Sequence, residues 1–145
     1  MDSASLKEAV CKVVDALSEL LMGLSAEIHR TPELSFEEHK AVQLITDVLG
    51  DEGFEIEKGI AGLETAFLAT YPSRSIGPTI VFLAEYDALP GVGHACGHNI
   101  IAGSAVGAAL AIGKLVVASH LFFSCRYRDF FCFRIFGVTA VIPNF

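Results

Sequence analysis

The residues best able to do chemistry lie together in residues 85–99. Two carboxylates, two imidazoles and one thiol fall within this short segment: Glu85, Asp87, His94, Cys96 and His98. Thiolate sulfur and imidazole nitrogen are good ligands for zinc, and manganese or cobalt accepts the same donors. The segment is therefore a candidate divalent metal site, although a Cys-x-His spacing alone is a weak signal.

The elements on either side of this segment are expected to hold it in place. Thr79–Ala84 is a continuous apolar run rich in β-branched residues, which is typical of a strand buried on both faces. An Ala- and Gly-rich helix follows, with Asn99 as its predicted N-cap. Ligand sites in open α/β sheets gather where strands end and the chain crosses to a helix.

The first fifty residues predict two helices. Ser5–Glu8 has the pattern of a capping box, and apolar residues then recur every three or four positions as far as His29. Pro32 ends this first amphipathic helix. Ser35–Glu38 is a second capping box, and its helix is expected to reach Leu49.

The chain then changes from helical to extended periodicity. Residues 54–57 alternate apolar and polar side chains, and residues 65–71 predict a further strand that Pro72 ends. Helices alternating with such strands indicate an α/β fold, a sandwich built around a mixed sheet.

Composition narrows the classes of function. The formal net charge of −7 argues against a nucleic-acid partner, which would require clustered Lys and Arg. No run of 18 uncharged apolar residues is present, so no membrane span is predicted. The N-terminus lacks the pattern of a secretory signal, and the four Cys show no disulfide-like spacing, which favours a cytoplasmic location.

Two motifs carry a family resemblance. Ala84–Pro90 followed by His94–His98 resembles the signature of the M20 metallopeptidase family. The similarity is to its amidohydrolase branch, with indole-acetyl-amino-acid hydrolases, aminobenzoyl-glutamate hydrolases and β-alanyl-lysine-type dipeptidases. His29–Glu38 matches the usual N-terminal stretch of that family. The resemblance covers residues 15–114 and implies the N-terminal part of a zinc-peptidase-like catalytic domain, an incomplete α/β/α sandwich over residues 1–114.

The resemblance also implies roles for individual residues. Cys96 and His98 match the first two metal ligands of the family, and Glu85 matches an acidic residue that orients a ligand. Asp87 belongs to the same motif. The implied reaction is metal-assisted hydrolysis of the amide bond in an N-acyl-amino acid or dipeptide. The complete enzymes are expected to form homodimers.

The chain departs from the family pattern after His98. The only later acidic residue is Asp129 and the only later histidine is His120, so the Glu-Glu pair that contains the general base is missing. Residues 115–145 hold seven of the 11 Phe and show no family resemblance, which predicts an aberrant apolar tail. We therefore expect a truncated form that is inactive alone. The alternative is a non-catalytic isoform that acts, if at all, through protein–protein interaction.

Residues with ligand-type side chains elsewhere have simpler interpretations. His94 is expected to be structural or to face the substrate. His29 and His39 are predicted to be exposed or to cap helix ends, and Cys11 to pack along the first helix. Cys125 and Cys132 are not expected to pair.

Overall fold

The computed structural model describes residues 2–72 and 79–115 in full, and residues 120–125 as backbone. The helices of this part of the chain are α1 (Ser3–Ala16), α2 (Ser18–Arg30), α3 (His39–Asp51) and α4 (His98–Leu115). Its strands are β1 (Glu55–Lys58), β2 (Phe67–Tyr71), β3 (Thr79–Ala84) and β4 (His120–Cys125). A 3-10 turn, Ile60–Gly62, lies between β1 and β2.

The predicted long first helix is in fact two helices. The backbone of Leu17, with φ of −91° and ψ of 1°, separates α1 from α2. Apolar residues keep their spacing across this break, so periodicity alone could not locate it. The predicted cap at Ser5 is also wrong, because Asp2 caps α1 and accepts a 2.8 Å hydrogen bond from the Ser5 amide. That hydrogen bond lowers the pKa of the Asp2 carboxyl. Cys11, which was expected to pack, is exposed.

Helix α3 is capped by Glu33. The sequence predicted Ser35 as the cap, and that prediction is wrong. The two carboxylate oxygens of Glu33 accept hydrogen bonds from the amides of Lys40 and Ala41, each at 2.9 Å. Two first-turn amides are thereby satisfied, and a negative charge lies at the positive end of the helix dipole. The helix begins at His39 and continues to Asp51, two residues past the predicted end.

Removing this cap tests how much Glu33 contributes to α3. We expect Glu33→Ala to lower the free energy of unfolding by about 0.5–2 kcal/mol, the usual cost of losing an N-terminal cap. Urea unfolding followed by circular dichroism measures the change. Glu37→Ala, which removes an exposed carboxylate from the same segment, is the matched control. Equal stabilities for the two variants would contradict the assignment.

The four strands of the described residues form a mixed sheet in the order β1-β2-β4-β3. The β1–β2 and β2–β4 pairs are antiparallel, whereas β3 and β4 are parallel, with Thr79 opposite His120 and Ala84 opposite Cys125. Strand β4 lies within the region that the sequence assigned to an aberrant tail. Residues 120–125 of that region therefore form one strand of the sheet, while residues 126–145, including Cys132, lie outside the described residues.

Strand β3 is less buried than predicted. Ala84 is buried, but Thr79 and Leu83 are exposed, and the three residues between Thr79 and Leu83 are half-buried. The physical reason is that only one face of β3, the face of Ile80 and Phe82, packs against the core of the described residues, whereas Leu83 lies on the opposite face. The prediction of a strand buried on both faces was wrong for this part of the chain.

A single apolar core joins one face of the sheet to helices α2, α3 and α4. Its largest fully buried side chains are Tyr86, Phe67, Ile28, Ile45, Leu49, Leu110 and Val106. These contacts confirm the predicted α/β class. Within residues 2–72 and 79–115, the core has helices on one side of the sheet, as expected for part of a sandwich.

Helix α4 passes close to α2 along a side that carries glycine. A Cβ atom at Gly107 would lie 2.7 Å from Cδ1 of Leu21, so only glycine permits this approach without movement of Leu21. By length and composition alone, α4 is apolar enough to cross a membrane. Eight of its residues are buried against the rest of the protein, which is the arrangement of a core helix.

Candidate metal-binding site

The segment that contains the candidate ligands connects the end of β3 to the start of α4, as the sequence predicted. A turn closed by Leu89 and Gly93 shapes its middle, with the Leu89 amide donating to the Gly93 carbonyl at 2.9 Å. A second turn follows, in which the Gly97 amide donates to the His94 carbonyl at 2.9 Å. Gly97 has a φ of 80°, a conformation that glycine adopts without strain, and the chain enters α4 directly after it.

Tyr86 anchors the chain between the two carboxylates. Its side chain is 1% exposed, and its hydroxyl donates a 2.6 Å hydrogen bond to the Thr65 carbonyl. The ring also stacks on Phe67, with 6.1 Å between the ring centroids. Burial of Tyr86 therefore fixes Glu85 and Asp87, which precede and follow it, relative to the core.

Both carboxylates contact the same imidazole, that of His98. Nδ1 lies 2.7 Å from Oδ1 of Asp87 and 3.0 Å from the Asp87 carbonyl oxygen, while Nε2 lies 3.1 Å from Oε2 of Glu85. A neutral imidazole donates from one nitrogen, whereas the charged ring donates from both. With Nδ1–H donating to Asp87, the neutral ring has its lone pair on Nε2.

The structure brings together three of the four predicted site residues. Glu85, Asp87 and His98 are in direct contact and half-buried. The thiol of Cys96 is free and exposed in the turn before α4. Within residues 2–72 and 79–115, no group of three or more His, Cys, Asp and Glu side chains is arranged to hold a metal ion.

The donor types nevertheless suit zinc. Histidines that bind metal usually donate their other ring N–H to a carboxylate or a carbonyl, which fixes the ring and the tautomer. The His98–Asp87 contact has this arrangement, and it leaves Nε2 directed toward Glu85. The described residues thus fit part of a zinc coordination shell, and further ligands are needed to complete it.

His94 is the most unusual polar residue near the site. It is 6% exposed, and neither ring nitrogen has a hydrogen-bond partner in the described part of the chain. Its ring centroid lies 6.1 Å from that of His29, which is exposed as predicted. Burial lowers the pKa of His94, and the neighbouring His29 lowers it further. The backbone of Ile28 raises this pKa by a smaller amount. The sequence identified His94 as a residue of interest but could not predict that it is buried, because burial depends on tertiary contacts.

This lowered pKa predicts a pH-dependent stability. As pH falls through the ordinary value of 6.5, the unfolded chain takes up a proton on His94 that the native chain does not. The free energy of unfolding should therefore fall on acidification below this value, by at most about 1.4 kcal/mol per pH unit. Urea unfolding between pH 7 and pH 5, roughly the range in which histidine titrates, measures the slope. His94→Asn should flatten it, and the exposed control His39→Asn should not. Parallel curves for wild type and His94→Asn would contradict the prediction.

The prediction that Asn99 caps α4 is wrong. The helix begins at His98, and the Asn99 side chain is buried, with Nδ2 donating to the Oγ of Ser25 at 3.0 Å and to its carbonyl at 3.3 Å. Asn99 therefore ties the first turn of α4 to α2. Sequence spacing could not reveal a contact between residues 74 positions apart.

Residues 33–35 contact the loop that carries Asp87, a contact that the sequence did not predict. The Ser35 hydroxyl donates to Oδ2 of Asp87 at 2.7 Å, and the Ala88 amide donates to the Glu33 carbonyl at 2.7 Å. Leu34 pairs in parallel with Ala88 through an isolated β-bridge. A small cleft of about 180 Å³ is lined by Leu83, Ala84, Glu85 and Ile101. The two sequence motifs therefore meet in space.

Comparison with known proteins agrees with this arrangement. The chain is 42% identical over 120 residues to the Xaa-Arg dipeptidase of Mus musculus, an alignment that covers 74% of the chain and 27% of that enzyme. It is 32% identical over 126 residues to the N-acetyl-L-cysteine deacetylase of Bacillus subtilis, covering 77% of the chain and 30% of that protein. No family model matches the chain. The chain thus spans less than a third of the length of these relatives.

A solved structure shows the same relationship. The YXEP protein of Bacillus subtilis, described as a dinuclear metal-binding peptidase of the M20 family, superposes with a TM-score of 0.68 at 28% identity. The superposition covers 77% of this chain and 35% of that protein. In sequence and fold, this chain is therefore a relative of the M20 peptidases and amidohydrolases.

Proposed function

We propose that this chain provides part of the metal site of an amide- or peptide-bond hydrolase, with Cys96 and His98 as metal ligands. The observation that carries the proposal is the 2.7 Å contact between Nδ1 of His98 and Oδ1 of Asp87. A carboxylate in this position orients a metal-binding imidazole and raises its basicity. Zinc is the proposed ion because thiolate and imidazole donors both suit it, and manganese and cobalt are the alternatives.

The residues of this chain have distinct roles in the proposal. Asp87 holds the Nδ1–H of His98, so that the lone pair of Nε2 is free to bind the ion. Oε2 of Glu85 lies 3.1 Å from Nε2, so this carboxylate would have to move away from Nε2 for the nitrogen to hold an ion. The ion, when bound, supplies Lewis-acid activation of an amide carbonyl and of water.

The proposed substrates are dipeptides and N-acyl-amino acids. Support comes from the relatives, which are named for an Xaa-Arg dipeptide and for N-acetyl-L-cysteine. The sequence lacks the Glu-Glu pair expected to provide the general base, so we propose that the chain alone turns over little substrate. A cytoplasmic location, supported by the cysteine spacing, and a homodimer for a complete enzyme belong to the same proposal.

Metal binding and hydrolysis can be tested separately. Calorimetric titration of the apo-chain with zinc should show one saturable site, with proton release as the ligands bind metal. The zinc-loaded chain is then assayed on Xaa-Arg dipeptides and N-acetyl-amino acids, with a chelator-treated sample as the control. Saturable binding with little turnover is the expected result. Absence of zinc binding by a folded chain would refute the proposed metal site.

A second candidate function is binding to another protein through the edge of β3. One observation favours it: within the described residues, β3 pairs only with β4, and Leu83 on this strand is 40% exposed. An uncovered apolar edge strand is a template for pairing with another chain. Size-exclusion chromatography with light scattering tests the idea, since a monomer at all concentrations that captures no strand-forming peptide would count against it.

A further inference from the structure

We propose that Ser35 is a positioning residue for His98 and acts through Asp87. The inference extends the proposed function, because it concerns the residue that orients a proposed metal ligand. In the sequence, Ser35 resembled a helix cap, but Glu33 performs that task. The Ser35 hydroxyl is directed instead to the carboxylate that holds His98.

The geometry forms a chain of two short hydrogen bonds. Ser35 Oγ lies 2.7 Å from Oδ2 of Asp87, and Oδ1 of the same carboxylate lies 2.7 Å from Nδ1 of His98. A carboxylate whose two oxygens are each engaged cannot rotate without breaking one contact. Ser35 therefore fixes the plane of the Asp87 carboxylate, and this plane fixes the orientation of the His98 ring.

The backbone around Ser35 is strained in a way that supports this role. Leu34 to Glu37 form a turn, in which the Glu37 amide donates to the Leu34 carbonyl at 2.9 Å. Phe36, at the third position of the turn, has a φ of 71°, where glycine or asparagine is usually found. Non-glycine residues keep such a conformation only when their surroundings enforce it, and these conformations cluster at functional sites.

Contacts before and after the turn hold its backbone in this conformation. The Glu33 carbonyl accepts from the Ala88 amide at 2.7 Å, and Leu34 pairs with the same residue. The Glu33 side chain caps α3. The Ser35 backbone is thereby held between the start of α3 and the loop that carries Asp87, which places Oγ within hydrogen-bond distance of the carboxylate.

The test measures His98 directly and without metal. The solvent-exchange rate of its Nδ1 proton is followed by ¹⁵N-edited NMR in the metal-free chain, for wild type, Ser35→Ala, Ser35→Thr and Ser104→Ala. Loss of one hydrogen bond to a carboxylate predicts exchange about 10-fold faster or more in Ser35→Ala. Ser35→Thr keeps the hydroxyl and should stay near wild type, as should Ser104→Ala, a control on the exposed side of α4.

Zinc affinity provides a second readout. Removal of a residue that contacts a metal ligand typically weakens metal binding by about 10- to 100-fold. Ser35 contacts Asp87 and not the proposed ligand His98 itself, so a smaller effect is expected. We therefore expect Ser35→Ala to bind zinc about 3- to 10-fold more weakly, with Ser35→Thr restoring the affinity. A serine with only a structural role would lower stability without changing either quantity in the folded protein.

The outcomes separate this inference from the proposed function. Unchanged Nδ1 exchange in folded Ser35→Ala would overturn the inference, and so would equal acceleration in Ser35→Thr. If Ser35→Ala does not fold, Ser35→Cys replaces it, because its thiol is only a weak donor and should also accelerate exchange. If wild type binds no zinc, the proposed metal site is refuted, whereas faster exchange in Ser35→Ala still supports the positioning role.

Discussion

Replacing His98 by alanine is expected to weaken zinc binding by more than about 100-fold. Loss of an outer partner of a metal ligand already costs about 10- to 100-fold, and loss of the ligand itself should exceed that. Cys96→Ala should have a comparable effect, because Cys96 and His98 are the two proposed ligands of this chain. Competition against a chromophoric chelator measures the affinities.

The chain contains matched controls for both substitutions. Cys11→Ala removes an exposed thiol on α1, and His39→Ala removes an exposed imidazole at the start of α3. Both variants should bind zinc as tightly as wild type. If Cys11→Ala weakened binding as much as Cys96→Ala, the zinc would be held by surface thiols in general and the assigned site would be wrong.

The second large effect is expected at Phe67. Its side chain is fully buried in β2 and stacks on Tyr86, so Phe67→Ala should lower the free energy of unfolding by about 3–5 kcal/mol. The loss combines the transfer free energy of the ring with the cavity that remains. Because Tyr86 lies between Glu85 and Asp87, the same substitution should also loosen the carboxylates that hold His98.

Leu68→Ala is the matched control for this prediction. Leu68 is the next residue of β2 and is half-buried, so its truncation should cost clearly less than that of Phe67. Urea unfolding of both variants, followed by circular dichroism, measures the difference. Equal losses would show that the core does not lie on the Phe67 side of the strand.

The sequence predicted the kinds of elements better than their ends. The buried face of α3 and the strands β1, β2 and β3 follow from periodicity, which is a local property of the chain. The break at Leu17 could not be predicted, because the apolar stripe continues through it. The order of the described strands, with β3 beside β4, could not be predicted either, because it depends on long-range pairing.

The site shows the same division between local and long-range information. The motifs predicted that Glu85, Asp87 and His98 would act together, and the structure brings these three side chains into contact. The resemblance gave the orienting role to Glu85, whereas Asp87 is the carboxylate that contacts Nδ1, an arrangement that depends on how Tyr86 is buried. Ser35 was misassigned, because its capping-box pattern is a local signal, whereas its partner is 52 residues away.

The most direct test of the metal site is zinc-edge X-ray absorption on the chain loaded with one equivalent of zinc. The proposed ligands predict one sulfur neighbour at about 2.3 Å and imidazole nitrogen at about 2.0–2.1 Å. The sulfur signal should disappear in Cys96→Ala and persist in Cys11→Ala. A wild-type spectrum with oxygen and nitrogen neighbours only, or a sulfur signal that survives in Cys96→Ala, would contradict the proposed site.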